Sequence, residues 1–333
     1  MADKRTPLLQ SAFKGATELD ISFCREVSFV ETIDLSGPRL ILKFDDSLSI
    51  LRNVIKVESG DIIKCTLEDL FGKKELSFSA DFTVMSMPVE GEVVTLNCLQ
   101  KEVAIMKIPA VKAQLFPKNR SINSIMTALA PGFTYETDVS ALLNSYHLLP
   151  GERPSLVLQQ LAMEHGAVIY ADRGKLCLKK IPALFTGSSG NIIFEYKNPS
   201  AQYQVVDYTH INRDKLIQDR LFRRYLGFHI TDGFVSSGKY GKYAPEIISS
   251  DNKNIMDNMS TIVAPVLDVI TFGAGHLRPG ISIKFQWNMD AAYNDSFSDE
   301  SLPTSAVVGN VAHYSAGASN YFCRLKVMEA IKE

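Results

Sequence analysis

The stretch PSLVLQQLAMEHGAVIYADRGKLCLKKI, Pro154–Ile181, holds a Glu, a His, a Cys and an Asp-Arg-Gly turn within one short span. Its pattern is that of scaffold. Val157, Leu158, Leu161 and Ala162 fall on one stripe at helical spacing. Gly166 supplies the left-handed stop that ends such a helix. AVIYA then reads as a strand, Asp172-Arg173-Gly174 as a turn with Gly at positive φ, and KLCLKKI as the return strand. Glu164 and His165 are the candidates for an acid/base pair. Adjacent helical residues point in different directions, which makes a shared site awkward. A His in the last turn, favourable to the helix dipole, beside a solvated Glu accounts for both.

The chain on the N-terminal side of this stretch is β-patterned. GDIIKCTLED puts Ile62, Lys64, Thr66 and Glu68 on one face and Ile63, Cys65 and Leu67 on the other. LDISFCREVSFVETID, PRLILKF, KELSFSADFTVMSM, GEVVTLNCLQ and EVAIMKI continue the theme, punctuated by Gly, Pro and Asp. Period two with such breaks predicts an antiparallel sheet or barrel over residues 1–108. DDSLSILRNVI suggests a helical turn capped by Asp45 or Asp46. Residues 109–195 change to helical period. Ile122, Ile125, Met126 and Leu129 repeat at i, i+3, i+4 and i+7, with Ser121 as N-cap and Pro131-Gly132 as the stop. DVSALLNSYHLLPG predicts another short helix before Pro150-Gly151. Residues 196–333 return to β. QYQVVDYTHIN, LFRRYLGFHITDGF, AVVGNVAHYS and NYFCRLKVMEAI read as strands, and PVLDVITFGAGHLRPGISIKFQW as two strands joined by a Gly-rich turn. Residues 236–262 form a long polar stretch with one helical piece near 254–262, and residues 289–305 an acidic loop.

The two β segments share an order of events. SGDIIKCTL, DFTVMSM and VVTLNCL in the first match PGISIKFQW, VVGNVAHYS and YFCRLKVM in the last, each series opening on a glycine, Gly60 or Gly280. This is a weak internal repeat.

Composition excludes several classes. The chain has 333 residues, 46% of them hydrophobic and 22% charged, the profile of a globular protein. Its length predicts two or three units. A net charge of −2 argues against tight nucleic-acid binding, which depends on basic excess. The N-terminus lacks a secretory h-region, and no apolar run has the ~18–20 residues that cross a bilayer. Cys24, Cys65, Cys98, Cys177 and Cys323 are far apart and contain no CxxC, which predicts buried free thiols.

The inventory of chemistry is short. His147, His165, His210, His229, His276 and His313 form neither HxH nor HExxH, so no metal set is predicted. GAGHLRPG, Gly273–Gly280, fails the dinucleotide pattern because Arg278 stands where the third glycine is needed. SGKYGK, Ser237–Lys242, has Gly-Lys without the phosphate-loop frame. DRLFRRYLGF, Asp219–Phe228, interleaves three arginines with aromatics; it reads either as a nucleic-acid strand contact or as a strand whose arginines pair with carboxylates. Asp45-Asp46 and Asp295–Glu300 are acidic groupings that a helix start and a solvated loop explain. No GxSxG is present. The sequence therefore predicts no catalytic, cofactor-binding or metal residue, and no enzyme.

The order barrel, helical insert, barrel resembles the baseplate hub proteins of contractile phage tails, a family related to the hub part of type VI secretion spike proteins. The residues that carry it are Pro154–Ile181, ELSFSADFTVMSMPVEGEVVTLNCL near the start, and LRPGISIKF, VVGNVAHYSAG and YFCRLKVM at the end. The fold class this implies is α+β: two tail-tube-like antiparallel β-barrels, 1–108 and 196–333, with a helix-containing α/β insert, 109–195, between them. The resemblance further implies a homotrimer, with six quasi-equivalent barrels in a ring that joins a six-fold tail tube to a three-fold central spike. Its expected partners are a further copy of itself, the tail tube protein, a spike protein carried on another polypeptide, and wedge or tape-measure proteins. DNA would pass through the lumen without specific binding. The expected location is the virion tail baseplate, assembled in the host cytoplasm. Two other readings stay open at this point, a tail-associated cell-wall hydrolase and a host-surface binding module.

Overall fold

The computed structural model describes residues 8–69, 76–186, 192–211, 224–237, 244–288, 302–317 and 320–331. Alternation builds its strands as the sequence predicts: Ile63, Cys65 and Leu67 are buried, while Ile62 and Lys64 face outward. The first sheet comprises β1 (Leu9–Lys14), β2 (Thr17–Glu18), β3 (Cys24–Thr32), β4 (Arg39–Asp45), β5 (Ile62–Glu68), β6 (Ser77–Ser86), β7 (Val89–Glu90) and β8 (Val93–Gln100). The insert holds β9 (Gln114–Phe116), β10 (Thr134–Thr137), β11 (Tyr146–Leu148), β12 (Ala167–Asp172) and β13 (Lys175–Lys180). The remainder supplies β14 (Ile193–Tyr196), β15 (Tyr203–His210), β16 (Tyr225–His229), β17 (Gly233–Ser237), β18 (Glu246–Ile247), β19 (Ile262–Phe272), β20 (Ser282–Trp287), β21 (Ser305–Ala316) and β22 (Asn320–Ile331).

The first sheet runs β2-β1-β5-β6-β8-β4-β3, with β7 on β8. The second runs β21-β20-β14-β15-β19-β22 and closes into a six-stranded barrel through the β21–β22 pairing. It is not wholly antiparallel, because β14 runs parallel to both β15 and β20. β3 pairs with β21 from Asn310↔Thr32 to Ala316↔Glu26, so the two sheets form one continuous hydrogen-bonded surface. They also share one apolar cluster, in which Phe29, Leu42 and Phe82 sit with Val269, Phe285 and Leu325.

The internal repeat is present in the hydrogen bonds. Take β1, β3, β4, β5, β6 and β8 as strands one to six of the first sheet, and β14, β15, β19, β20, β21 and β22 as those of the second. Both follow the cyclic order one-two-three-six-five-four; in the first, no pairing joins β1 to β3 among the described residues. Gly60 N–H donates to the Val84 carbonyl and Val84 N–H to that of Asp61, both at 2.8 Å. Gly280 donates likewise to Val308 at 2.8 Å, and Val308 to Ile281 at 2.9 Å. Bulges fall at matching places: Cys24/Glu26 on β3 and Val205/Asp207 on β15, Val84/Ser86 on β6 and Val308/Asn310 on β21.

The insert has its own core. The helices Ile122–Leu129 and Pro154–Glu164 pack Ile125, Met126, Leu158 and Leu161 against Leu176 and Leu178 of the sheet β10-β13-β12. Gly166 stops the second helix at φ +59, and Arg173 (φ +44) with Gly174 (φ +93) makes the hairpin turn. A smaller sheet, β17-β16-β18, rests on the helix Lys253–Met259 through Tyr225, Ile255, Met256 and Met259.

Three local expectations are corrected. EVAIMKI is not a strand: Lys101–Met106 is a helix, because Val103 and Met106, three apart, are drawn together into the insert core. DVSALLNSYHLLPG contains no helix: Tyr146 and Leu148 alternate inward on β11, which pairs with β9. GAGHLRPG does not close a hairpin. β19 pairs with β15 and β22, while β20 pairs with β14 and β21, so Gly273–Gly280 crosses between non-neighbouring strands. A Cβ at Gly273 would lie 1.9 Å from Tyr321 Cδ1, and one at Gly280 (φ +81) 2.2 Å from Tyr170 Oη. The turn over DDSLSILRNVI is the π-helical turn Ile50–Val54, and Asp46 holds it by accepting from Leu51 N–H and Arg52 Nε, both at 2.9 Å.

Gly60 and Gly280 separate backbone strain from crowding. A Cβ at Gly60 (φ +96) meets nothing within 4 Å. Gly60→Ala is expected to cost about 1 kcal/mol from φ alone, and Gly280→Ala roughly 1–3 kcal/mol more. Urea unfolding of the two variants measures the difference.

Candidate functional site

The chemical groups that the structure brings together sit where the sheets meet. Glu31 lies on β3 and is fully buried. Arg173, at the tip of the β12–β13 hairpin, reaches it with two parallel bonds, Nε to Oε1 at 3.2 Å and Nη2 to Oε2 at 3.0 Å. The same Nη2 donates to the Leu277 carbonyl at 2.9 Å. His313, on β21 and also fully buried, places Nε2 at 3.0 Å from that carbonyl and 3.6 Å from Glu31 Oε2. Its Nδ1 is 2.8 Å from Tyr321 Oη and 3.3 Å from Cys323 Sγ. One network thus ties the first sheet, the insert hairpin, the 273–280 crossing and the barrel.

Its electrostatics are mutually reinforcing. Burial alone would raise the pKa of Glu31, but Arg173 and His313 outweigh it and the pKa is lowered. Burial would lower that of Arg173, but Glu31 holds it up. Burial disfavours the charged His313 ring as well. Cys323 and Glu31 push the other way, and the result is a rise to about 9. As an imidazolium the ring donates from both nitrogens, to Leu277 O and to Tyr321 Oη. No substrate reaches Glu31 or His313, because neither exposes any surface. The cluster acts as a staple.

A cleft of about 750 Å³ adjoins it, walled by the β12–β13 hairpin and by Arg278–Ser282. Glu136 accepts from Lys179 at 2.8 Å and Lys175 at 3.2 Å, and these bonds lower its pKa. Asp172 lies 3.4 Å from Arg278, and burial raises its pKa. Burial pushes the Cys177 thiol up to about 12, which removes it as a nucleophile near neutral pH.

Pro154–Ile181 does not assemble an acid/base pair. Glu164 is buried rather than solvated: it accepts from Tyr146 Oη at 2.6 Å and from Gln160 Nε2 at 2.8 Å. His165 Nδ1 is 2.8 Å from the Leu161 carbonyl and Nε2 3.2 Å from that of Ala141. Asp45 pairs with Arg25, and Asp46 with Arg52. All five cysteines are buried free thiols. Among the described residues, no three His, Cys, Asp or Glu side chains are grouped to hold a metal, and no helix is long and apolar enough to cross a membrane. Asp219–Arg223 of DRLFRRYLGF, Gly238–Lys242 of SGKYGK and the Asp295–Glu300 cluster lie outside the described residues. Sequence reasoning missed Glu31 and Arg173, which are 142 positions apart. The one available signal was Glu31 at the end of an alternating apolar strand.

The fold is similar to that of solved phage tail proteins. No protein-family model matches the chain, and no curated protein matches it in sequence. Solved structures match over almost its whole length. The tail protein from Neisseria meningitidis MC58 superposes at a TM-score of 0.63, covering 98% of this chain and 97% of its own, at 10% identity. The 43 kDa tail protein of prophage MuSo2 from Shewanella oneidensis gives 0.61, with 98% and 97% covered at 10% identity. Prophage tail protein gp18 from Listeria monocytogenes EGD-e gives 0.52, with 95% and 94% covered at 8% identity. The chain has the fold of these tail proteins.

The staple gives two expected outcomes. Arg173→Met leaves a buried carboxylate without its main partner and is expected to cost about 3–5 kcal/mol, most of it regained in Glu31→Met/Arg173→Met; denaturant unfolding of both variants checks this. The pH dependence has a defined sign. The folded pKa of His313 exceeds its ordinary 6.5, so its contribution is complete below that pH and is lost as pH rises through about 9. Glu31 behaves oppositely, contributing above the usual carboxylate range and losing it as pH falls through its lowered pKa. His313→Gln is therefore expected to flatten the decline in melting temperature between pH 6.5 and 9.

Proposed function

We propose that this protein is the hub of a phage tail baseplate, a homotrimer that joins the six-fold tail tube to a three-fold central spike. One observation carries the reading: the chain holds two sheets of one strand order, joined through β3 and β21. Three such chains supply six quasi-equivalent units, which is what a part between three-fold and six-fold symmetry requires. The likeness of the fold to tail proteins over 98% of the chain supports it. In this reading residues 1–108 and 196–333 are the tube-like units, and residues 109–195 brace the spike or neighbouring wedge proteins. The enclosed channel passes DNA during genome ejection, and a net charge of −2 suits passage better than adhesion. The work is assembly, not catalysis, and its place is the virion tail.

Light scattering coupled to size exclusion tests the proposal. The expected mass is three times the 36.9 kDa of one chain. A strict monomer that also fails to associate with tube protein would overturn it.

A further inference from the structure

The seam inside the chain joins strand two of the first sheet, β3, to strand five of the second, β21. Among the described residues, the complementary strands do not pair with each other in this way: β6, strand five of the first sheet, and β15, strand two of the second. We infer that β15 of one copy pairs with the β6–β7 edge of the next, repeating between chains the seam that β3 and β21 make within one. This rests on the hub reading and gives it a contact.

The shared bulges and hydrogen bonds fix which residues correspond. Val84 matches Val308, and Ser86 matches Asn310, each pair flanking a bulge. Val89 pairs with Val94 as His313 pairs with Cys323, and Val94 pairs with Phe44 as Cys323 pairs with Thr271. Val89 therefore matches His313, and Glu90 matches Tyr314. On the other side Cys24 matches Val205, since each precedes the bulge of its strand, and Phe29 then matches His210. Within the chain His313 faces Phe29 and Tyr314 faces Ser28. Transferred to neighbouring copies, Val89 faces His210 and Glu90 faces Thr209.

Both edges are built for such a contact. β5 covers β6 only from Ser77 to Thr83, and β14 covers β15 only from Tyr203 to Val205. The strand stretches beyond those limits expose apolar side chains, Met85 at 54%, Val89 at 41% and Val206 at 44%. Pro88 does not spoil the edge. Its carbonyl accepts from Thr95 N–H at 2.9 Å, so its backbone groups turn toward β8 and those of Val89 turn outward. Strand two to strand five is a head-to-tail contact, and its repetition closes a ring when the rotation permits.

Single variants Val89→Cys and His210→Cys, mixed and oxidised, test the register on a non-reducing gel. Directly opposed residues carry their side chains on the same face, within reach of a disulfide. The native thiols are buried and do not compete. The expected result is a disulfide-linked dimer in the mixture and in neither variant alone. Replacing His210→Cys by Thr209→Cys, which points to the other face, is expected to reduce cross-linking at least tenfold. If light scattering finds a trimer but the mixture gives no cross-link, or the Thr209→Cys control links equally, the seam is overturned while the hub reading stands. A monomer that gives no cross-links and also fails to associate with tube protein overturns both.

Discussion

Glu31 sits on β3 near one end of the ladder that joins the two sheets, with no exposed surface. A carboxylate there costs several kcal/mol in desolvation unless charge and hydrogen bonds surround it. That requirement reaches far along the chain. It draws Arg173 in from the insert hairpin and the Leu277 carbonyl from the crossing, and sets His313 across the ladder. The β12–β13 hairpin is therefore held against both sheets at one point, and the insert core behind it inherits that position. Tyr170 on the same hairpin closes over Gly280, where only hydrogen fits.

The network belongs to the seam and not to the repeat. His313 corresponds to Val89 in the first sheet, and Tyr321, two residues before Cys323, corresponds to Glu92, two before Val94. What the two sheets share is subtler: a glycine at positive φ before strand four, a pair of backbone bonds on either side of it, and bulges at equivalent positions. These features set register, and register decides which face every later side chain takes. Side-chain identity could then diverge, provided alternation survived. Lys64 and Lys284 face outward in both sheets, while Ile63 and Ile283 face inward.

Local sequence made much of this legible. The helix Pro154–Glu164, its Gly166 stop and the Arg173-Gly174 turn follow from spacing and φ preferences within a few residues, and the structure has all three. The paired glycines Gly60 and Gly280 pointed to the repeat. EVAIMKI and DVSALLNSYHLLPG were less readable. Short apolar runs satisfy both periods, and the insert core, not propensity, chose helix for the first and strand for the second. Glu164 read as solvated because the Tyr146 hydroxyl that buries it comes from another element.

The sequence by itself determined the strand alternation, the turns and the doubled order of events, because each is a local matter of side-chain period and backbone freedom. Only the tertiary structure decided that β14 would run parallel inside a closed barrel, that GAGHLRPG would cross rather than turn, and that Glu31 would meet Arg173. Those outcomes depend on contacts between residues far apart in the chain, such as the pairing of Phe194 with Phe285 and the bond from Arg173 to Glu31. Charge compensation in a dry interior acts through space, and sequence distance carries no record of it.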